Sequence, residues 1–332
     1  MIVKNELIKN GFVDMEIDKN INVIEEINKL KKEKNAIILA HYYETADIQD
    51  LADFVGDSLA LSQKAAETDA EIILFAGVHF MAETAKILAP KSKVLIPDLN
   101  AGCSLADSCP PEEFKKFIEA NPDHMVISYV NTTAEIKTMT DICCTSTNAL
   151  KIVESLPKEQ KIIFAPDRNL GSYIKRLTER ENMLIWDGAC HVHEEFSLEA
   201  ILDLKKEFPN AKIISHPECI KPIQLVSDFV GSTAALLNFT KTDNSKEYIV
   251  ATESGILHQM KKQNPEKNYI PAPPKDSTCG CNDCNFMKLI TVNKIYNTLK
   301  YELPEVTLSD DIIQKAKKSI DKMLEISKKM NL

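Results

Sequence analysis

The chain has 332 residues, enough for two or three small domains, and its 44% hydrophobic and 27% charged residues are the balance of a globular protein. A net charge of −9 argues against nucleic acid as a partner, because phosphate binding draws on a surplus of Lys and Arg. No apolar run can span a bilayer, and the stretch MIVKNELIKNGFVDMEIDKN lacks the apolar core of a signal peptide. A cytoplasmic protein with no membrane and no nucleic-acid partner is therefore expected.

In chain order, INVIEEINKLKKEKN reads as an amphipathic helix leading into NAIILAHYY, a buried strand that ends at His41–Tyr43. ADFVGDSLALSQ follows as a short strand, a capping Ser58 and a helix. EIILFAG and KVLIPD are two further strands, with His79 at the turn between the first of them and a helix, and LNAGCSLAD brings Cys103. The pattern then returns. HMVISYVN ends at Tyr129–Asn131, TDICCTSTNALKIV carries Ser146, QKIIFAPD and NMLIWD are strands, and GACHVHEEF carries Cys190 and His193. It returns again as AKIISHPE, ending at His216–Glu218, then SDFVGSTAALLNF with Thr233, EYIVATES, NYIPAP and TCGCNDCNFMK. SDDIIQKAKKSIDKMLEISKKM closes the chain as a capped amphipathic helix that packs on the body.

The spacing makes this a repeat. Ser58, Ser146 and Thr233 each lie 17 residues after His41, Tyr129 and His216. Ala76, Ala165 and Ala251 follow the same starting points by 35, 36 and 35 residues. Cys103 lies 62 after His41 and Cys190 lies 61 after Tyr129, while Cys279, Cys281 and Cys284 lie 63, 65 and 68 after His216. Alternating strands and helices imply parallel βαβ units. The expected fold is α/β: three similar αβα sandwich domains with short parallel sheets, related by pseudo-threefold symmetry around a central site. The expected domains are 1–102, 103–189 and 190–332.

Ligands bind beyond the carboxyl ends of parallel strands, where the repeat puts its polar residues. His41, His216 and His193 suit proton transfer, Tyr43 and Tyr129 can donate a phenolic proton, and Glu218 can accept one. Ser58, Ser146 and Thr233, at helix starts, suit anions. The nine cysteines are odd in number and scattered, which fits no disulfide framework. Cys143 and Cys144 read as buried at a strand end, and Cys109 and Cys219 have no repeat counterpart. Three converging thiolates suit zinc, with His193 as a possible fourth ligand, or a 4Fe–4S cluster with one open, Lewis-acidic iron, which is the better fit. No GxGxxG or Walker motif occurs, so no dinucleotide or ATP site is expected.

Together HYY, GDSLALS, AGCSLAD, YVNT, WDGACHVHEEF, HPEC, GSTAAL and CNFMK resemble the quinolinate synthase family over residues from about 36 to 290. The resemblance implies a transferase that condenses iminoaspartate (iminosuccinate) with dihydroxyacetone phosphate, giving quinolinate, phosphate and two waters for NAD biosynthesis. It implies one 4Fe–4S cluster with three cysteine ligands, and a functional link to an L-aspartate oxidase or dehydrogenase. It implies Cys103, Cys190 and Cys284 as ligands, although repeat spacing alone favours Cys279. The Cys279/Cys281 pair departs from the CxxCxxC of some members. Implied substrate contacts are His41, Ser58, Tyr129, Asn131, Ser146, His216, Glu218 and Thr233, with Tyr43, His193, His216 and Glu218 moving protons. An aconitase-like iron–sulfur hydro-lyase and a non-enzymatic iron–sulfur or zinc sensor are the competing readings.

Overall fold

A computed structural model describes residues 2–276 and 283–332. Cys279 and Cys281 lie outside the described residues. Among the described residues, twelve strands form three four-stranded sheets. The first holds β1 (Ala36–His41), β2 (Phe54–Gly56), β3 (Ile72–Ala76) and β4 (Lys93–Leu95). The second holds β5 (Met125–Tyr129), β6 (Ile142–Cys144), β7 (Ile162–Ala165) and β8 (Met183–Ile185). The third holds β9 (Lys212–Ser215), β10 (Phe229–Val230), β11 (Glu247–Ala251) and β12 (Asn268–Pro271).

The strand orders are β2-β1-β3-β4, β6-β5-β7-β8 and β10-β9-β11-β12, and every pairing is parallel. The expected α/β class with three similar units is thus what the chain forms. Parallel strands are covered by helices on both faces, so they read as unbroken apolar runs, and Ile72–Ala76 and Ile162–Ala165 are buried along their whole length.

An aspartate repeats the same clamp in each sheet. Asp53, Asp141 and Asp228 stand just before the second strand of their copy. Their carboxylates accept the main-chain N–H of Ile38, Val126 and Ile213, each at 2.8 Å. Their own N–H groups donate back to the carbonyls of the same three residues, at 3.0, 2.9 and 2.7 Å. Each clamp fixes the register in which the first strand delivers its polar end three residues later.

The chain divides into two compact units: Met1–Cys103 with Thr133–Thr138 and Asn285–Lys317, and Ser104–Thr132 with Met139–Cys284 and Lys318–Leu332. The first unit holds the first sheet. Its outer strand β4 is covered by a late segment: Ile96 donates to the Pro304 carbonyl at 3.3 Å and Val306 to that of Val94 at 2.8 Å. Glu302 joins this segment to Lys34 at 2.6 Å and Lys93 at 2.5 Å. The second unit holds the other two sheets. The expected C-terminal helix forms as Asp310–Lys329, and in this unit its Ser319 and Ser327 meet Cys143 and Asn148 at 3.3 and 2.9 Å. The N-terminal helical pattern forms as Val23–Glu33, and Ile2–Asn10 adds a helix not expected from the sequence.

Candidate active site

In the second unit, the ends of β5 and β9 bring Tyr129 and Glu218 together. The Tyr129 hydroxyl donates to Glu218 Oε1 at 2.7 Å, and both side chains are buried. Glu218 Oε2 lies 3.3 Å from His193 Nδ1, which is also 3.3 Å from Cys190 Sγ. The other ring nitrogen of His193 faces the Thr252 hydroxyl at 2.9 Å, an outer contact that orients the ring. The His216 ring lies beside that of His193, with centroids 4.7 Å apart. The Glu218 main-chain N–H points at His216 Nδ1 at 3.3 Å. The neutral ring therefore carries its hydrogen on Nε2, which faces Ser146 Oγ at 3.1 Å.

The electrostatics follow from this packing. Burial pushes the Glu218 carboxyl up, but His216 and His193, with the His193 and Tyr129 hydrogen bonds, outweigh it and bring it to about 2. Behind it sits Asp167, fully buried, whose carboxyl is pushed well up by burial and by the charge of Glu218.

The first unit repeats one element of this geometry. There the Tyr43 main-chain N–H points at His41 Nδ1 at 3.2 Å, as that of Glu218 points at His216. The Tyr43 ring packs edge-on to His41 at 4.5 Å, and Lys288 donates to the Tyr43 carbonyl at 2.5 Å. Ser58 and Cys103 also belong to this unit.

The helix starts need a correction. Ser58 and Thr233 are the first residues of helices Ser58–Glu67 and Thr233–Thr242, not their caps. The caps are Asp57, which takes the Ala60 N–H at 2.9 Å, and Ser232, which takes that of Ala235 at 3.3 Å. Ser146 precedes its helix, Ala149–Glu154, by a turn in which Asn148 accepts the Thr145 N–H at 2.6 Å. Two buried oxygens on loops beyond the strands, Asn131 Oδ1 and Thr145 Oγ1, have no hydrogen-bond partner among the described residues. Such orphaned polar atoms suit a ligand that supplies the missing donor or acceptor.

The cysteines sort by environment. Cys109, Cys143, Cys144 and Cys219 are buried, whereas Cys103, Cys190 and Cys284 are partly exposed. Burial pushes the thiols of Cys109 (to about 12), Cys144 and Cys219 upward, as for cysteines that serve as small core residues. Among the described cysteines, the partly exposed ones are those that the resemblance implies as ligands; repeat spacing alone favoured Cys279, which lies outside the described residues. Cys190, His193 and Glu218 each offer a donor atom within 4.8 Å of the others, so this corner can hold a metal. Cys190 and Cys284 pack against one apolar cluster that includes Val192, Phe196 and Ile249.

A family model described as NadA, quinolinate synthetase A protein, matches residues 25–325. The chain belongs to the quinolinate synthetase A family. A curated quinolinate synthase of Chloroherpeton thalassium is 54% identical over 308 residues, 93% of this chain and 95% of that protein. One from a Nostoc species is 57% identical over 307 residues, 92% of this chain and 94% of its own. One from a Synechocystis species is also 57% identical, over 306 residues, covering 92% and 96%.

Within this quinolinate synthetase A chain, sequence reasoning passed over Thr252, Asp167 and Glu253. The last two stand two residues beyond the repeat-related Ala165 and Ala251, and that shared offset was the available signal. Among the described residues no helix is long and apolar enough to cross a membrane.

Proposed function

We propose that the chain is a cytoplasmic transferase that condenses iminoaspartate with dihydroxyacetone phosphate, forming quinolinate, phosphate and two waters for NAD biosynthesis. The observation that carries this reading is the buried Tyr129–Glu218–His193 chain beside Cys190. Glu218, held ionised, accepts a proton from the reacting carbon or nitrogen, and Tyr129 and His193 stabilise its charge. His216 donates through Nε2, with Ser146 as its partner. In the first unit, His41 and Tyr43 form a second donor pair. Ser58 and Thr233, at helix N-termini, and Ser146 and Asn131, on loops, bind carboxylate and phosphate.

Cys103, Cys190 and Cys284, the partly exposed cysteines among the described residues, would hold a 4Fe–4S cluster. When bound, it supplies a Lewis-acidic iron to a carboxylate, imine or hydroxyl of the substrate. This assignment requires the repeats 1–102, 103–189 and 190–332 to surround one centre with pseudo-threefold symmetry. An L-aspartate oxidase or dehydrogenase would supply the unstable imine.

A second reading has one specific support: Cys190, His193 and Glu218 alone match the donor set of a single zinc ion. Purification without oxygen, followed by a count of iron and acid-labile sulfide, separates the two. About four of each per chain supports the cluster; zinc without sulfide, after attempted reconstitution, overturns it. Product formed only when dihydroxyacetone phosphate is present rules out a simple hydro-lyase.

A further inference from the structure

Two buried carboxylates occupy one position in two repeats. Asp167 lies two residues past Ala165 at the end of β7, and Glu253 two past Ala251 at the end of β11. Both are almost completely buried. Each turns to main-chain N–H groups. Asp167 accepts from Leu170 at 2.7 Å, capping the helix Arg168–Thr178, and the N–H groups of Asn169 and Cys190 lie on the same side and favour its ionised form. Glu253 accepts from Gly255 at 2.7 Å through Oε2 and from Cys284 at 3.1 Å through Oε1. In the third repeat, then, one carboxylate ties the start of the segment after the third strand to the backbone of a cysteine far along the chain, and in the second the equivalent carboxylate stands beside the Cys190 N–H.

Neighbouring contacts support the same junction. Arg168, the residue after Asp167, donates its N–H to the Gly188 carbonyl at 2.8 Å, two residues before Cys190. Ser254, the residue after Glu253, is hydrogen-bonded to Asp283, one residue before Cys284. In the first repeat, His79 donates to the Ala101 carbonyl at 2.7 Å, two residues before Cys103, and the carboxylate position is Val78. The main-chain link is thus present in the first two repeats, and the carboxylate is an addition confined to the second and third.

We infer that Asp167 and Glu253 are positioning residues that hold the loops of Cys190 and Cys284 in place for ligation. The inference rests on the reading of these two cysteines as metal ligands. A loop cysteine otherwise loses conformational freedom when it binds, and a preset backbone removes that cost. A carboxylate fixing a ligand's backbone acts as an outer shell, whose loss typically costs about 10–100-fold in metal affinity.

Glu253 caps no helix through its side chain, so it gives the cleaner test. Full-length E253A, E253Q and D167N proteins would be compared with wild type in two measurements. The first is hydrogen exchange of the Cys190 and Cys284 amides in metal-free protein. The second is the rate of iron release to a chelator after anaerobic reconstitution. In E253A the Cys284 amide should exchange at least about tenfold faster while that of Cys190 holds its rate. Iron release should quicken by about 10–100-fold. E253Q keeps one acceptor oxygen where Glu253 uses two, so it should fall between E253A and wild type in both, and D167N, which keeps the helix cap, should leave the Cys284 amide unchanged. Unaltered exchange at Cys284 in E253A, or equal acceleration at both amides, overturns the inference. Wild-type protein that takes up neither iron nor sulfide defeats the ligand assignment, and the exchange rates then decide the positioning by themselves.

Discussion

The Tyr129 hydroxyl and Glu218 Oε1 meet at 2.7 Å inside the second unit, joining the first strands of its two sheets through a phenol and a carboxylate. Tyr129→Phe removes that donor and leaves the ring. Turnover should fall by about 100-fold or more, because the proton chain loses a member. Stability should fall by only about 1.5–3 kcal/mol, the worth of a hydrogen bond to a charged group. Steady-state assay and urea denaturation of the same preparation check both. Unchanged kcat would remove Tyr129 from the chemistry.

Gly188 lies two residues before Cys190. A Cβ there would come within 2.6 Å of the Pro166 carbonyl and would also strike Ser108 Oγ. Gly188→Ala should therefore lift the cysteine loop off the end of β7. A loss of about 1–3 kcal/mol is expected from overpacking, together with weaker iron retention. Denaturation midpoint and iron content measure the two effects. A variant as stable and iron-rich as wild type would show that the loop has room to spare.

Arg180, 3% exposed, donates to the carbonyls of Val153, Leu156, Pro157, Lys158 and Gln160. It ties the loop after the helix Ala149–Glu154 to the segment before β8. Arg180→Ala strands several buried acceptors at once, so a loss above about 3 kcal/mol is expected. Arg180→Lys should recover little, since an ammonium cannot spread its donors in a planar fork. Urea midpoints for the two variants decide this.

Asp243 accepts from Lys212 at 2.5 Å, from the Ser245 N–H at 2.9 Å and from the Tyr248 hydroxyl at 2.9 Å. Burial raises its carboxyl, but these partners outweigh it and hold the group well below the usual carboxylate range. A depressed folded-state pKa stabilises the fold above the unfolded value and loses that effect as pH falls. The stability gap between wild type and Asp243→Asn should thus be largest near neutrality and shrink from about pH 5 to about pH 2. A gap independent of pH would contradict the assignment.

The repeat was readable because parallel strands leave long apolar runs and because spacings of 17 and 35–36 residues recur. It located every strand and put Tyr129, Ser146, His216 and Glu218 at strand ends or in the loops beyond them. Helix starts were misplaced by one residue at Ser58 and Thr233, since Asp57 and Ser232 beside them are equally good caps and only geometry selects between neighbours. Asp167 and Glu253 escaped notice because an acidic residue after a strand ordinarily faces water. Their burial depends on where the distant cysteine loops return.

The first sheet is made early and closed late. Its outer strand β4 is capped by Pro304–Val306, and its unit includes residues up to Lys317. On a ribosome, where the chain emerges from its N-terminus, that edge stays open until residues 304–306 have been made, some two hundred residues after β4. An open strand edge invites pairing with another chain. A protein cut short before Pro304 would therefore keep its first sheet but gain a tendency to self-associate, so the closing residues act as a guard against aggregation during synthesis.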